Sequence, residues 1–195
     1  VYKRQEWDTR KNWETYWLID PLDGTKEFIK KNDEFTINIA LIEYNQPVLG
    51  IIYAPAFGSL FFSKKNNGSY KIYTKNNLNT LKNSEKISVK YTNNEKIRVI
   101  GSRSHSNIAF DNWVKKKFTN FEIIEKGSSL KFCEIAEGKA DIYPRFGPTS
   151  EWDIAAGHII LLEAGGKLKT IDNKDLVYNK KAVSYTHLTL PTTSS

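Results

Sequence analysis

The chain has 195 residues and a formal net charge of +7, with 39% hydrophobic and 26% charged residues. This composition excludes a disordered chain, because it provides enough apolar surface to offset the entropy lost on folding, and no apolar run reaches the eighteen or so residues of a membrane-spanning helix. The positive charge indicates an anionic ligand: nucleic acid, anionic lipid or a phosphorylated small molecule.

The first half of the chain predicts an antiparallel sheet. Trp13–Asp20 is typical of a strand that ends in a carboxylate, and the turn-forming sequence Pro21-Leu22-Asp23-Gly24 follows it. Phe35–Glu43 and Val48–Tyr53 are apolar runs separated by four turn-forming residues, which indicates a β-hairpin. Two further strands extend this hairpin into a meander, Gly58–Phe62 and Ser69–Tyr73.

From Ile97 onward the pattern alternates between strands and helices, which predicts a mixed α/β fold with layered sheets and helices. The predicted elements are strands Ile97–Gly101, Phe121–Glu125 and Ala140–Arg145 and helices Asn107–Phe118, Ser128–Glu137 and Ser150–Ala164. Residues 1–183 are expected to form one domain. Ser184–Ser195 contains no Lys, Arg, Asp or Glu and is expected to be a non-native tail.

The sequence Asp20-Pro21-Leu22-Asp23-Gly24-Thr25 carries the sharpest chemical signal. Two carboxylates three residues apart across a turn can converge on one point, and carboxylates with a backbone carbonyl are ligands that Mg²⁺ takes. Gly24 and Thr25 offer backbone N–H groups to a phosphate. The same sequence is also ordinary turn chemistry, so the motif alone leaves both interpretations open.

A second acidic signal begins the last predicted helix. In Ser150-Glu151-Trp152-Asp153-Ile154-Ala155-Ala156-Gly157, Asp153 falls in the first turn, where an acid can cap the helix. The alternative is that Asp153 is a third metal ligand, with Ala155–Gly157 allowing the helix to pack closely behind the site. Position alone slightly favours the cap.

Other polar residues allow two interpretations each. Ser128 and Lys131 share a helix face suited to a phosphate, or are a capping serine and a solvated lysine. Arg145 follows a predicted strand and is either a phosphate or base contact or a surface ion pair. His105 is expected to be polar surface, and Cys133 a small core residue. The lysine-rich stretches Lys64–Lys75 and Lys115–Lys117 are expected to be solvated.

Two of these motifs resemble the signatures of a known enzyme family. Trp17–Phe28 and Trp152–Gly157 are similar to the two signatures of the inositol monophosphatase superfamily of Mg²⁺-dependent, lithium-sensitive phosphatases. Within that superfamily, the sequence from Lys26 to Phe28 resembles the 3′(2′),5′-bisphosphate nucleotidases, as do Gly127–Cys133 and Tyr143–Pro148. The resemblance extends from about Trp7 to Tyr178.

The resemblance implies an α/β/α/β/α sandwich that hydrolyses adenosine 3′,5′-bisphosphate to AMP and phosphate with two or three Mg²⁺ ions. The implied metal ligands are Asp20, which bridges two ions, the Leu22 carbonyl, Asp23 and Asp153. Thr25 is implied to orient the attacking water, and the N–H groups of Gly24, Thr25 and Lys26 to hold the scissile phosphate. Ser128, Lys131 and Arg145 are implied to bind the nucleotide or its second phosphate.

One departure concerns a further metal-binding carboxylate, which the family carries in a Glu-Glu motif upstream of the strand-end Asp. That position falls at or before Val1, and Glu6 and Glu14 have neither the motif nor its spacing, so both are expected to be surface acids. The chain also contains no Met. We therefore expect an N-terminally truncated fragment that lacks its first helices and is inactive or nearly so.

Partners and compartment follow from the same features. The predicted partner is a small nucleotide bisphosphate, with no nucleic acid and no stable protein partner. The single cysteine indicates a reducing cytoplasm, with peripheral association at the inner face of the membrane left open. The alternatives are an inositol or sugar monophosphatase of the same superfamily and a nucleic-acid-binding module. The latter is disfavoured because Trp7, Trp17 and Trp152 flank acidic motifs.

Overall fold

The computed structural model describes residues 6–74, 81–90, 96–103, 108–170, 172–182, 184–185 and 188–189. The helices are α1 (Trp7–Arg10), α2 (Thr25–Ile29), α3 (Ile108–Lys117), α4 (Leu130–Ala136) and α5 (Glu151–Glu163). The longer strands are β1 (Thr15–Asp23), β2 (Thr36–Glu43), β3 (Gln46–Ala54), β4 (Ser59–Lys64), β5 (Ser69–Tyr73), β6 (Glu85–Ile87), β7 (Ile97–Ser102) and β8 (Phe121–Lys126). The short strands are β9 (Thr149–Ser150), β10 (Lys169–Thr170), β11 (Ser184–Tyr185) and β12 (Leu188–Thr189).

The first half forms an antiparallel sheet of six strands in the order β1-β2-β3-β4-β5-β6, which confirms the predicted meander. Strands β2 and β3 are joined by Tyr44 and Asn45, whose φ angles of 48° and 64° are both left-handed. Two left-handed residues in a two-residue loop match the twist of the strands that they connect. The predicted hairpin is therefore confirmed.

Strand β1 does not end where the sequence predicted. It continues through Pro21 to Asp23, and its pairing with β2 shifts register between Asp20 and Asp23. Proline lacks the N–H that a regular ladder needs, and it is tolerated here because β1 is an edge strand with a bulge at this point. The predicted turn is thus an irregular stretch of strand.

Helix α5 packs against the sheet at very short range. A Cβ on Gly50 of β3 would lie 2.6 Å from the Ala156 carbonyl oxygen, and a Cβ on Gly157 would lie 2.4 Å from the Phe132 ring of α4. The prediction that small residues allow this helix to pack closely is confirmed. The main core lies between α5, α4 and one face of the sheet and includes Leu18, Ile42, Ile52, Phe61, Phe132, Ile135, Ile154, Ile160 and Leu161.

The opposite face of the sheet is less well covered. Along β2, Thr36, Asn38, Ala40 and Ile42 are buried, whereas the alternate residues, such as Ile39, are only partly buried. A strand places successive side chains on opposite faces, so this alternation marks one covered and one open face. Among the described residues, no helix has the length and apolarity to cross a bilayer.

In the second half, the predicted alternation of strand and helix is confirmed from β7 through α3 to β8, and β7 and β8 pair in parallel. The predicted strand Ala140–Arg145 is wrong, since within it Ile142 forms an isolated bridge to Val99. The Arg98 backbone N–H donates to the Asp141 carboxylate at 2.8 Å. In a regular strand pair that N–H would donate to a backbone carbonyl of the neighbouring strand. The helix predicted from Ser128 begins instead at Leu130, because Ser128 has a left-handed φ of 44°.

The two lysine-rich stretches differ in their surroundings. Lys115–Lys117 are exposed, as predicted. The prediction of a solvated stretch is wrong at Lys71, which is buried against the rings of Phe61 and Tyr73 and lies 2.7 Å from the Glu137 carboxylate. This lysine therefore belongs to the fold rather than to an anion-binding surface.

Candidate metal and phosphate site

Three carboxylates meet where β1 approaches the start of α5. Asp20, Asp23 and Asp153 each offer an oxygen, and these oxygens lie within 4.8 Å of one another. Residues three apart on a regular strand lie on opposite faces, so the bulge at Pro21 is what allows Asp20 and Asp23 to converge. Leu22 lies beside them, with its N–H donating to Asp20 Oδ1 at 3.2 Å. The acidic triad can bind a metal ion.

Asp153 serves two purposes. Its Oδ2 accepts hydrogen bonds from the Ser150 N–H at 2.9 Å and the Thr149 hydroxyl at 3.1 Å, and Ser150 and Asp153 form a capping box. The capping interpretation is therefore confirmed, and the same residue also joins the triad. Burial and the negative charge of Asp23 raise the pKa of Asp153 to about 6. A cation in the triad would relieve this repulsion.

Asp23 is held by three donors on a single oxygen. Its Oδ2 accepts from the Ser129 hydroxyl at 2.5 Å, the Asn38 amide at 3.2 Å and the Thr36 hydroxyl at 3.4 Å. None of these three donors was predicted from the sequence. A signal existed at Asn38, because it and Thr36 are the two polar residues on the buried face of β2.

A cleft of about 210 Å³ opens beside the triad. The structure brings eight of the predicted site residues to its walls: Asp23, Gly24, Thr25, Lys26, Ser128, Lys131, Arg145 and Asp153. Gly24 has a left-handed φ of 84° and precedes α2, and a Cβ there would lie 3.0 Å from the Ser128 side chain. The two segments predicted to bind phosphate are therefore neighbours.

Besides the exposed Lys26, two cationic side chains line the cleft, Lys131 and Arg145. Only 5% of Lys131 is exposed, and within the described part of the chain it makes no ion pair, its Nζ lying 3.5 Å from the Lys126 carbonyl oxygen. The interpretation of Lys131 as a solvated lysine is therefore wrong. It sits near the Tyr143 ring, 5.6 Å from its centroid.

Arg145 is the second cation. Its guanidinium donates to the Tyr143 hydroxyl at 3.0 Å and to the Pro148 carbonyl at 2.8 Å, while its buried Nε has no partner among the described residues. Burial disfavours the charged form, but Tyr143 and the carboxylates of Asp153 and Asp23 hold the pKa of Arg145 above its ordinary value. The interpretation as a surface ion pair is wrong, because Arg145 lines the cleft and none of its hydrogen bonds goes to a described acid.

The loop that carries Ser128 is held from behind by Glu34. This buried carboxylate accepts the Gly127 N–H at 2.7 Å and pairs with the Arg103 guanidinium at 2.9 Å. Although burial opposes its ionisation, these hydrogen bonds and the positive charges of Arg103 and Lys126 keep the pKa of Glu34 below its ordinary value. This contact of Glu34 with the loop was not predicted from the sequence.

The remaining candidates lie elsewhere. Glu6 and Glu14 are exposed, which confirms them as surface acids. Cys133 is a buried core residue, as predicted, and burial raises the pKa of its thiol well above the ordinary value. His105 lies outside the described residues.

Comparison of the sequence with known protein families finds a match over nearly the whole chain. The sequence profile of the inositol monophosphatase family matches residues 2–193. The chain belongs to the inositol monophosphatase family. Among the solved structures of that family, CysQ from Bacteroides thetaiotaomicron superposes on this chain with a TM-score of 0.90 and is 38% identical to it. The matched region is 98% of this chain and 75% of the Bacteroides chain. An inositol monophosphatase from Anabaena has a TM-score of 0.74 and is 26% identical. Its match covers 94% of this chain and 69% of the Anabaena chain.

Curated members of the family agree. The 3′(2′),5′-bisphosphate nucleotidase CysQ of Buchnera aphidicola is 48% identical over 169 residues, which are 87% of this chain. CysQ of Salmonella typhimurium is 41% identical over 175 residues, which are 90% of this chain and 67% of the relative. The chain spans 60% of the length of the Buchnera relative. These matches place the chain with the CysQ-type members, as the sequence analysis predicted.

Proposed function

We propose that this chain belongs to a Mg²⁺-dependent phosphatase that hydrolyses adenosine 3′,5′-bisphosphate to AMP and inorganic phosphate. The observation that carries the proposal is the pairing of the acidic triad with two cationic side chains, Lys131 and Arg145, around one cleft. A metal-bound phosphate and a second phosphate could be held there at the same time. The relatives named 3′(2′),5′-bisphosphate nucleotidase support the choice of substrate.

The residues present fit magnesium. Asp20, Asp23 and Asp153 offer only oxygen donors, which are the ligands that this hard cation prefers. We infer that these carboxylates, together with the Leu22 carbonyl, would hold the two or three metal ions that the resemblance implies. Bound Mg²⁺ supplies positive charge to phosphoryl oxygens and lowers the pKa of a water molecule.

The protein's own groups then have defined tasks. The backbone N–H groups of Gly24, Thr25 and Lys26 bind the scissile phosphate, and the Thr25 hydroxyl orients the attacking water. Phosphoryl transfer needs little beyond such positioning and stabilisation of negative charge. Ser128 and Lys131 bind the second phosphate, and their burial excludes water and strengthens each charged hydrogen bond.

Arg145 is proposed to contact the nucleotide. Its Nε is a buried donor without a protein partner among the described residues, so a ligand acceptor in the cleft would satisfy it. The planar guanidinium suits phosphate oxygens and can also stack on a base. These contacts favour a bisphosphate nucleotide over inositol or sugar monophosphates, which have no second phosphate for Lys131.

The experiment compares substrates on a hybrid protein. Because the chain spans only part of its relatives, the segments of Buchnera CysQ outside the match are joined to this chain. Phosphate release is measured with Mg²⁺ from adenosine 3′,5′-bisphosphate and from inositol 1-phosphate, with an Asp153→Asn hybrid as control. We expect the nucleotide to react faster and the control to be inactive. Faster release from inositol 1-phosphate would overturn the proposed substrate.

The same assay applied to the 195-residue chain alone tests its expected inactivity, and robust Mg²⁺-dependent release would contradict that expectation. Oligonucleotide titrations at increasing salt test the alternative of a nucleic-acid-binding module, for which a steep loss of affinity is expected.

We propose a cytoplasmic enzyme that acts on a small molecule without a stable protein partner, consistent with its one cysteine being a buried thiol.

A further inference from the structure

Two buried polar side chains behind the acidic triad have no task in the proposed reaction. Only 1% of Asn38 and 2% of Ser129 is exposed to solvent. Burying polar groups costs free energy unless they find hydrogen-bond partners. The partners of these two side chains therefore indicate what they do.

The Ser129 hydroxyl lies between the two elements that carry the triad, and its single hydrogen is shared by an acceptor on each. Its Oγ lies 2.5 Å from Asp23 Oδ2 on β1 and 2.9 Å from the backbone carbonyl oxygen of Asp153 on α5. The Asn38 amide donates to Ser129 Oγ at 2.9 Å and to Asp23 Oδ2 at 3.2 Å. Among the described residues, every hydrogen bond of these two side chains thus stays within the group formed by Asn38, Ser129, Asp23 and Asp153.

The orientation of the Asn38 amide is fixed by Asp23. Its Oδ1 is buried and has no hydrogen-bond partner among the described residues. Rotating the amide by half a turn would instead point Oδ1 at the Asp23 carboxylate, where two acceptors would repel each other. The amide therefore donates to the Asp23 carboxylate and leaves its own oxygen without a hydrogen bond. A buried polar group without a partner costs stability, so the stability of the fold alone does not explain an asparagine at this position.

The donors on Asp23 also select its ligand oxygen. Oδ2 accepts from Ser129, Asn38 and Thr36, whereas Oδ1 has no hydrogen bond within the described part of the chain. Asp153 shows the same division, because its Oδ2 accepts from Ser150 and Thr149. One oxygen of each carboxylate is thus held by the protein and the other is left for a cation.

We propose that Asn38 and Ser129 are positioning residues that orient the Asp23 carboxylate for cation binding and set its distance from Asp153. This inference rests on the metal centre of the proposed function. Residues that orient metal ligands typically change metal affinity by about 10- to 100-fold when they are replaced. Removing either side chain should therefore weaken binding of a divalent cation by about tenfold or more.

The experiment measures Mn²⁺ binding to the 195-residue chain by electron paramagnetic resonance, together with stability in urea. The variants are Asn38→Leu, Ser129→Ala and the hydroxyl-retaining Ser129→Thr. The matched control is Ser63→Ala, which removes a buried hydroxyl from the same sheet where its partner is Ser69 rather than the triad. We expect Asn38→Leu and Ser129→Ala to weaken Mn²⁺ binding about tenfold, and Ser129→Thr and Ser63→Ala to bind like the wild type.

Stability separates positioning from a structural role. Asn38→Leu keeps the approximate shape, and removal of the unpaired Oδ1 offsets part of the loss of two hydrogen bonds, so its stability should fall no further than that of Ser63→Ala while Mn²⁺ affinity falls about tenfold. Parallel losses of stability and affinity would overturn the proposal, as would unchanged affinity in both Asn38→Leu and Ser129→Ala. If the 195-residue chain binds no Mn²⁺, the same variants are measured in the hybrid protein, and a hybrid that binds none refutes the proposed metal centre and this inference with it.

Discussion

Acid should destabilise this protein through one buried histidine. His158 lies on α5 with only 4% of its surface exposed, and its Nδ1 is 2.9 Å from the hydroxyl of the buried Tyr178. Burial lowers the pKa of His158 from 6.5 to about 4, and the nearby charges of Asp175 and Lys169 act in opposite directions on it. Protonation is therefore much easier in the unfolded chain.

The sign and size of the effect follow from linkage. A depressed pKa in the folded state means that stability is complete above pH 6.5 and is lost as the pH falls from 6.5 toward 4. A tenfold difference in proton affinity corresponds to about 1.4 kcal/mol, so at pH 4 His158 should cost the folded state about 3 kcal/mol. The variant His158→Gln cannot titrate but can still hydrogen-bond to Tyr178.

Urea denaturation at intervals between pH 4 and pH 7 measures this effect. The wild type should lose about 3 kcal/mol more than His158→Gln across this range, while Tyr178→Phe, which keeps the buried histidine, should lose stability much as the wild type does. Parallel stability curves for the wild type and His158→Gln would refute the reasoning. The comparison cancels the contributions of other titrating groups.

Three further predictions concern packing and the site. Gly157→Ala should destabilise the chain by about 1–3 kcal/mol, because the new Cβ would collide with Phe132, and unchanged urea stability would contradict such close packing. Asp153→Asn should raise the Tm of the metal-free chain, because it removes one of three clustered charges. It should also abolish the increase in Tm that we expect Mn²⁺ to give the wild type. A lower metal-free Tm in the variant would contradict repulsion within the triad. Lys131→Gln should weaken calorimetric binding of adenosine 3′,5′-bisphosphate by about tenfold and that of AMP much less, and equal losses would contradict a second-phosphate contact.

The sequence predicted most of the elements because their signals are local. Alternating apolar residues located β2, and Ser150 located the start of α5. The segment from Ala140 to Arg145 was misjudged because its apolar residues resemble a strand, while its backbone partners depend on the position of Asp141 beside Arg98. That contact joins residues far apart in the chain, and no local pattern encodes it.

The site shows the same division. The residues alone left the metal interpretation of Asp20, Asp23 and Asp153 open, and the family resemblance implied it, but the bulge that brings the first two together was not predicted. Asn38 and Ser129 were missed because a polar residue in a strand and a serine before a helix have ordinary explanations. Their relation to Asp23 becomes visible only when β2 and α4 are assembled beside β1.

The distance in sequence between the triad's members has a kinetic consequence. Asp23 and Asp153 are separated by 130 positions, so their carboxylates meet only after β1 and α5 have docked. A cation that binds the finished site stabilises the native state but not the unfolded chain. If docking of these elements follows the rate-limiting step, bound metal slows unfolding and leaves the refolding rate unchanged. Removing the metal would then shorten the lifetime of the folded chain without changing how fast the chain folds.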